Sequence, residues 1–414
     1  KYETFFINCI MLSFDFKNVF TVGTRGLDRA ILKSVGSMPQ KKYSFEKLVD
    51  GDDVISQIEQ FCKKNSGKFD HFVLLGIGGS ALGARCTMDA LLPGSERSKL
   101  IILDNIDPVL IADATDNLNF EKTLFIVVSK SGATPETIAQ YFYFRKKIDR
   151  RENFVFVTDP DNGFLRQTGC NEGIRTFDIP RDVGGRFSVL TAAGLLPAGL
   201  LGVDIRALLN GAGNVLKFRK KAFEFASIQY LLQKKRGVSI AVMMPYSSRL
   251  ATFSDWYAQL LAESIGKEKN LAGKKVNVGI TPVKALGVTD QHSQIQLYVA
   301  GPFDKLIVFL EILKSDVDMK IPKMYAAEES FAFLHGVSFH ELLMAEKKAT
   351  EMALVQYKRP NATLSMQKLD AFHLGALFMF FELSVAFLGE LYGINAFDQP
   401  GVELGKKLTR EICG

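Results

Sequence analysis

The sequence predicts an α/β fold built from two doubly wound parallel-sheet domains, each an αβα sandwich. Three observations carry that expectation. The chain has 414 residues, more than one compact core ordinarily holds. Short apolar or β-branched runs at 72–75, 100–103, 124–128, 154–157 and 174–179 alternate with helix-length spacers, the pattern of strands joined by crossover helices. These runs are apolar on both faces, as strands covered on both sides are.

The second half repeats the theme more loosely. Strand-like runs at 238–244, 276–280, 296–299 and 306–310 are interspersed with helical patterns near 250–267, 337–354 and 368–391. The expected division is an N-terminal extension and arm over 1–44, a first domain over 45–203, and a second over 204–414 that includes the C-terminal helices.

The composition, 47% hydrophobic and 23% charged, supports a large core and excludes a disordered chain. Fifty-one basic residues stand against forty-five acidic ones, net +6, with no basic block or interleaved aromatic stripe of the nucleic-acid kind. The cysteines Cys9, Cys62, Cys86, Cys170 and Cys413 are odd in number and form no Cys-x-x-Cys pair. That argues for a reducing compartment and against a disulfide framework or zinc site. His335 and His340 are five apart, not at the four-residue spacing of a helical metal pair, and His71 and His373 stand in no motif. The opening residues 1–10 lack a signal-peptide pattern, and Met11 suggests a start-codon extension ahead of the ordinary chain. The apolar run 372–388 is interrupted by His373 and Glu382, so a buried helix is expected rather than a membrane span.

The first strand runs into Gly76-Ile77-Gly78-Gly79-Ser80, and a helical pattern follows at once. Such a unit offers backbone N–H groups to an anion at a helix N-terminus. Gly76-x-Gly78-x-x-Ala81 also satisfies the relaxed dinucleotide fingerprint, with Asp104 where a ribose-binding acid would sit. A mere tight turn is the third possibility. The third strand ends in Ser129-Lys130-Ser131-Gly132-Ala133-Thr134-Pro135-Glu136. A capped helix start explains Thr134 and Pro135, but it leaves two hydroxyls and an ammonium in the same turn without a task. In a sheet ordered 2-1-3-4-5 the first and third strands are neighbours at the switch point, so both loops open into one crevice. Together they suit a phosphate monoester. No ATP-type phosphate loop is present.

The pairing of Gly-Ile-Gly-Gly-Ser with Ser-Lys-Ser-Gly-Ala-Thr resembles the sugar isomerase (SIS) domain. Asp182-Val183-Gly184-Gly185-Arg186-Phe187-Ser188 and the stretch from Gly389 through Phe397-Asp398-Gln399-Pro400-Gly401-Val402-Glu403-Leu404-Gly405-Lys406 resemble the two signatures of the glucose-6-phosphate isomerase family. Between them, Ala262-Glu263-Ser264-Ile265-Gly266-Lys267 and Thr289-Asp290-Gln291-His292-Ser293 resemble its catalytic segments. Ile265, Pro400 and the short length suit a compact bacterial form. The resemblance implies two SIS-type domains, a cytoplasmic glycolytic enzyme, a homodimer with active sites at the subunit interface, and aldose–ketose isomerisation of glucose 6-phosphate and fructose 6-phosphate with no metal or redox cofactor.

By the same resemblance, Glu263 is the base that moves a proton between C2 and C1, and Arg186 steadies the oxyanion. His292 and Lys406 open the sugar ring. Gly79, Ser80, Ser129, Lys130, Ser131 and Thr134 hold the phosphate, while Glu136 and Gln399 orient hydroxyls. The residue chemistry fits: a positioned carboxylate for the base, a permanently charged guanidinium for the oxyanion, an imidazole titrating near neutrality for ring opening. Each also has a plainer alternative: a surface i,i+4 ion pair of Glu263 with Lys267, or a loop clamp for Arg186. A non-catalytic phosphosugar sensor would explain the loops but not Glu263, His292 and Lys406. A dinucleotide-dependent dehydrogenase would leave the Ser-Lys-Ser loop idle.

Overall fold

The computed structural model describes residues 12–20, 26–65 and 67–414. The opening segment, with its expected extension, therefore lies outside the described residues up to Met11. The chain divides into two compact units that interleave in sequence. One holds Gln40–Lys217 and Asp370–Glu382; the other holds the described residues up to Pro39, Phe218–Leu369 and Leu383–Gly414.

Twelve strands occur among the described residues: β1 (Leu12–Asp15), β2 (His71–Leu75), β3 (Leu100–Leu103), β4 (Thr123–Ser129), β5 (Phe154–Thr158), β6 (Arg175–Asp178), β7 (Ile240–Pro245), β8 (Lys267–Lys269), β9 (Lys275–Val278), β10 (Thr281–Lys284), β11 (Lys305–Ile312) and β12 (Asn361–Met366). In the first unit all five strands run parallel in the order β3-β2-β4-β5-β6. In order of appearance this is 2-1-3-4-5, the doubly wound arrangement the sequence predicts. Every residue of β4 and β5 is buried, which is why those runs read as continuously apolar. Phe125, Phe144 and Phe154 pack with ring centroids 4.9 and 5.2 Å apart about Phe125, and Tyr141 meets Phe156 edge-on at 5.2 Å.

The second sheet is ordered β1-β12-β11-β7-β10, with β1 antiparallel at the edge and the others parallel. Its parallel strands again wind 2-1-3-4. The sequence misses β12 because Asn361, Thr363 and Ser365 alternate polar with apolar. All three are buried all the same, because their face meets a buried ionic network. Lys347 Nζ reaches Glu351 at 2.9 Å, Glu311 at 3.0 Å and Thr363 Oγ1 at 2.9 Å, and Ser365 donates to Glu311.

Two strand expectations are corrected. Residues 296–299 belong to a helix, Ile295–Ala300. Tyr298 is buried while Leu297 is exposed, a one-sided burial at helical spacing that a four-residue apolar run does not reveal. The run 276–280 falls on β9, which pairs with β8 in a two-stranded ribbon, and the sheet strand is β10 just beyond.

The division between units also differs from the expected one. The helix Ile205–Val215 belongs with the first unit, where it buries Ile205, Leu208, Leu209, Ala212 and Val215. A Cβ at Gly211 would lie 1.8 Å from Phe372 O, so only glycine permits that approach. The expected arm is instead bound into the second unit, through the pairing of β1 with β12 and a 2.9 Å contact between the hydroxyls of Ser34 and Ser227.

The apolar run near 372–388 is the helix Ala371–Tyr392, whose most apolar window is 89% buried, as expected of a core helix. His373 closes its N-terminus against Asp370, Nδ1 to Oδ1 at 2.6 Å. Glu382 is fully buried and neither carboxylate oxygen has a hydrogen-bond partner among the described residues. Burial raises its pKa well above the usual value for glutamate.

The folded protein therefore keeps the Glu382 proton where the unfolded chain releases it. The stability cost is absent below the unfolded value and grows as pH rises toward the folded one. Replacing Glu382 with Met should stabilise the protein by about 1–3 kcal/mol near pH 8, the usual cost of an unsatisfied buried polar group, and by less near pH 5. Urea melts at both pH values check this; an equal gain at both, or a loss at pH 8, contradicts it.

Candidate functional site

In the first unit β2 and β4 are hydrogen-bonded neighbours from His71↔Thr123 to Leu75↔Val127, so their carboxyl-end loops emerge side by side. The loop after β2 forms the 3-10 turn Gly78–Ser80 and then the helix Leu82–Leu91. Gly78 sits at φ +59, in the left-handed region that glycine tolerates. The loop after β4 leads into the helix Pro135–Lys147, with Pro135 in its first turn.

The sequence makes Thr134 the cap of that helix. It occupies the position, but its side chain makes no cap hydrogen bond. Its Oγ1 lies 2.8 Å from Ser129 Oγ and 3.4 Å from Ser131 Oγ. Three hydroxyls thus converge at the helix start, where Ser129 Oγ accepts from the Thr134 N–H at 3.4 Å and Ser131 Oγ from the Ala133 N–H at 3.3 Å. Hydroxyls, first-turn N–H groups and the helix dipole all favour an anion there. Glu136 stands at the helix's second position, partly buried.

Lys130 leaves the same turn, and its Nζ donates to Arg181 O at 3.1 Å. Burial, the largest influence, pulls its pKa below the usual lysine value; Asp159 and Asp182 oppose that, and Arg186 adds to it. Arg186 lies in the 3-10 turn Gly185–Phe187, buried, with its guanidinium 5.7 Å over the Phe187 ring. This turn crosses the first loop at Gly79, where a Cβ would meet Gly185 O at 2.3 Å and Arg186 N at 2.9 Å. The structure therefore gathers Gly79, Ser80, Ser129, Lys130, Ser131, Thr134 and Arg186 around one end of one sheet. Asp104, the acid a dinucleotide site would need, is paired with Arg85 at 2.8 Å.

In the second unit Glu263 lies in the last turn of the helix Ala251–Ile265. Its Oε1 accepts from Gln259 Nε2 at 2.9 Å, one helical turn earlier. Lys267, which the sequence alone pairs with Glu263 on a solvated face, is buried; its Nζ donates to Glu263 O at 2.6 Å and Ser264 O at 3.1 Å. It also stands 3.7 Å from Asp398 Oδ1, in the segment before Gln399.

His292 is exposed on the 3-10 turn Thr289–His292. Gln291 pins that turn by accepting from Tyr246 OH at 2.6 Å and donating to Glu346 at 3.0 Å. Asp290 supports it too: partial burial raises its pKa, but bonds from Ser293, Gln294 and the Leu286 N–H outweigh that and leave it below the usual value. Gln399 precedes the 3-10 turn Pro400–Val402, and Lys406 extends from the exposed helix Glu403–Cys413 with Glu403 at 2.7 Å.

Residues 35–414 match the family profile of phosphoglucose isomerase. The chain belongs to the phosphoglucose isomerase family. A glucose-6-phosphate isomerase of Carboxydothermus hydrogenoformans is 46% identical over 384 residues, which cover 88% of this chain and 83% of that one. A solved structure of a hypothetical protein from Thermus thermophilus is 34% identical, covers 98% of this chain and 100% of its own, and superposes with a TM-score of 0.84. The glucose-6-phosphate isomerase structure of Chlamydia trachomatis, 22% identical, shares the fold at a TM-score of 0.82 over 98% of this chain and 89% of its own.

Within this phosphoglucose isomerase family chain, sequence reasoning passed over Gln259, Asp398 and the burial of Lys267. The i−4 spacing of Gln259 from Glu263 on a helical pattern was a visible signal for the first. Nothing local announces the pairing of Lys267 with a residue 131 positions later, and only the tertiary structure supplies it.

If the hydroxyl cluster takes a phosphate, a chain carrying Ser129→Ala, Ser131→Ala and Thr134→Ala should bind a sugar 6-phosphate at least about 10-fold more weakly, since a hydrogen bond to a charged group contributes about 1.5–3 kcal/mol. Binding of the unphosphorylated sugar should change little. Calorimetric titration of both ligands reads the difference, and equal losses for the two count against a phosphate cradle.

Proposed function

We propose that this chain interconverts glucose 6-phosphate and fructose 6-phosphate by ring opening and proton transfer through a cis-enediolate. The observation that carries the reading is the family match over residues 35–414, and the chemistry of the candidate residues supports a role for each. The hydroxyls of Ser80, Ser129, Ser131 and Thr134, with Lys130 and the backbone at Gly79, take the phosphate dianion. His292 and Lys406 exchange the protons that open the ring. Glu263, oriented by Gln259, removes the C2 proton while the C2 electron pair forms the enediolate double bond and the C1 carbonyl oxygen becomes an oxyanion. Arg186 stabilises that charge, which a fixed guanidinium does at no reorganisation cost. Glu263 then returns the proton to C1 while the O2 hydroxyl gives up its proton as the C2 carbonyl forms and O1 takes up a proton to become the C1 hydroxyl; Glu136 and Gln399 hold hydroxyls in place. The proton moves between adjacent carbons of one molecule and no electrons leave it, so these steps call for no redox cofactor, and Arg186 supplies the cation that the oxyanion needs.

We further assign a homodimer in the cytoplasm, with His292 serving the partner subunit's site. Support for an interface comes from large exposed apolar side chains after β11, including Val317, Met319, Tyr325, Phe331 and Phe333. More comes from Leu404, Leu408 and Ile412, a stripe at helical spacing on the C-terminal helix. Surfaces of this kind mark association sites.

One experiment tests base and partner together. Glu263→Gln should bind substrate but lose about 10²–10⁴-fold in kcat, the range for a positioned general base. Mixed with His292→Ala under subunit exchange, it should recover about a quarter of wild-type activity. Random mixing makes half the dimers hybrid, each with one intact site, as closed two-fold symmetry requires. Near-normal turnover in Glu263→Gln removes it as the base, and verified hybrids with no recovered activity place His292 in its own subunit's site.

A further inference from the structure

Glu263 stands in the last turn of its helix, where the chain must leave the helix abruptly and the final carbonyls lack intrahelical partners. At Gly266 the backbone adopts φ −69 and ψ 94, and its N–H bonds Ala262 O at 3.0 Å. A Cβ at Gly266 would meet that same oxygen at 2.8 Å. The chain therefore turns back at once into β8, whose first residue is Lys267. Ordinary surface lysines extend into water. Lys267 folds back over the helix end, 7% exposed, and gives its ammonium to the carbonyls of Glu263 at 2.6 Å and Ser264 at 3.1 Å. A cation on those carbonyls satisfies orphan acceptors and meets the negative end of the helix dipole.

The same ammonium faces Asp398 at 3.7 Å. Asp398 is itself held by Asn395, Nδ2 to Oδ2 at 3.0 Å, and Asn395 Oδ1 accepts from Phe397 N at 3.0 Å. One buried charge therefore ties the turn carrying Glu263 to the turn carrying Gln399. We infer that Lys267 is a positioning residue for proton transfer: by clamping the Glu263 and Ser264 carbonyls and pairing with Asp398, it fixes where the Glu263 carboxylate stands relative to the substrate carbons. It touches no reacting atom. The inference rests on the proposed isomerase function, with Glu263 as its base.

A carboxylate that must take a proton from C2 and deliver it to C1 has to stay close to both. Loosening its anchor lets the carried proton exchange with water before delivery. The test follows deuterium from 2-deuterated glucose 6-phosphate and measures the share that reaches C1 of the product rather than the solvent. Wild type sets the reference. Lys267→Met should lose about 10–100-fold in kcat, the scale of a misplaced catalytic group, with KM changed far less and a clearly lower share of transferred label. Lys267→Arg, which keeps charge and donors, should restore part of both. Asp398→Asn keeps the shape of the pair without its charge, and should shift the label share in the same direction by a smaller amount.

A merely structural lysine would lower the amount of active enzyme and leave the label share unmoved. That result, or a folded Lys267→Met with wild-type turnover, overturns the inference. Should Lys267→Met fail to fold, Asp398→Asn is read by the same label share, and an unchanged share overturns the inference equally. A wild-type protein that does not interconvert the two sugars brings down the function and this role with it. An active wild type with an indifferent label share in the variants brings down the role of Lys267 alone.

Discussion

The first unit depends on the lateral pairing of β2 with β4, because that pairing decides which loops can act on one ligand. Parallel strands cannot be joined by tight turns, so each must be followed by a crossover. When consecutive crossovers cover opposite faces, the loops at the carboxyl ends of the two central strands are left facing a common crevice. Five residue pairs set the register of β2 on β4, and everything polar near the crevice follows from it. The Ser129, Ser131 and Thr134 hydroxyls come together, and the Gly79 turn lies close enough to Gly185 that no side chain fits between them. Arg186 reaches the same end of the sheet on a turn that the sequence places more than a hundred residues after Gly79. Hydroxyls, ammonium and guanidinium are thereby concentrated where a dianion would otherwise have to be drawn out of water.

The second unit uses the same winding for a different purpose. Its strands also run 2-1-3-4, yet the candidate base is carried at the far end of the helix that follows β7. What matters there is how a helix terminates. A glycine that cannot bear a Cβ turns the chain back, and a buried lysine closes the exposed carbonyls. Gln259 then directs the carboxylate from one turn earlier. The buried Lys347, Glu311 and Glu351 network between β11, β12 and the helix Phe339–Gln356 is a separate matter. It keeps two carboxylates and an ammonium paired in the interior, where any one of them alone would be costly.

Much of this was legible in the residues. The strands of the first unit could be read because burial on both faces forces uninterrupted apolar runs, and their order followed from the doubly wound rule. The two loops at the crevice announced themselves by glycine and hydroxyl content at strand ends. The rest was hidden for physical reasons. β12 carries polar residues into the interior and so mimics a half-exposed segment, and the helix Ile295–Ala300 is too short for its period to show. Thr134 looks like a helix cap by type and position, but its hydroxyl goes to Ser129. Lys267 looks like half of a surface ion pair; its burial, and its link to Asp398, are tertiary facts that no spacing encodes.

The central claim is that a carboxylate of this protein carries a proton between C2 and C1 of a phosphorylated sugar. The most direct measurement runs the wild-type reaction in deuterium oxide and follows both sugars by proton NMR. The account predicts interconversion of glucose 6-phosphate and fructose 6-phosphate, with solvent deuterium entering C2 of the aldose and C1 of the ketose. No interconversion of the two sugars would contradict the account outright.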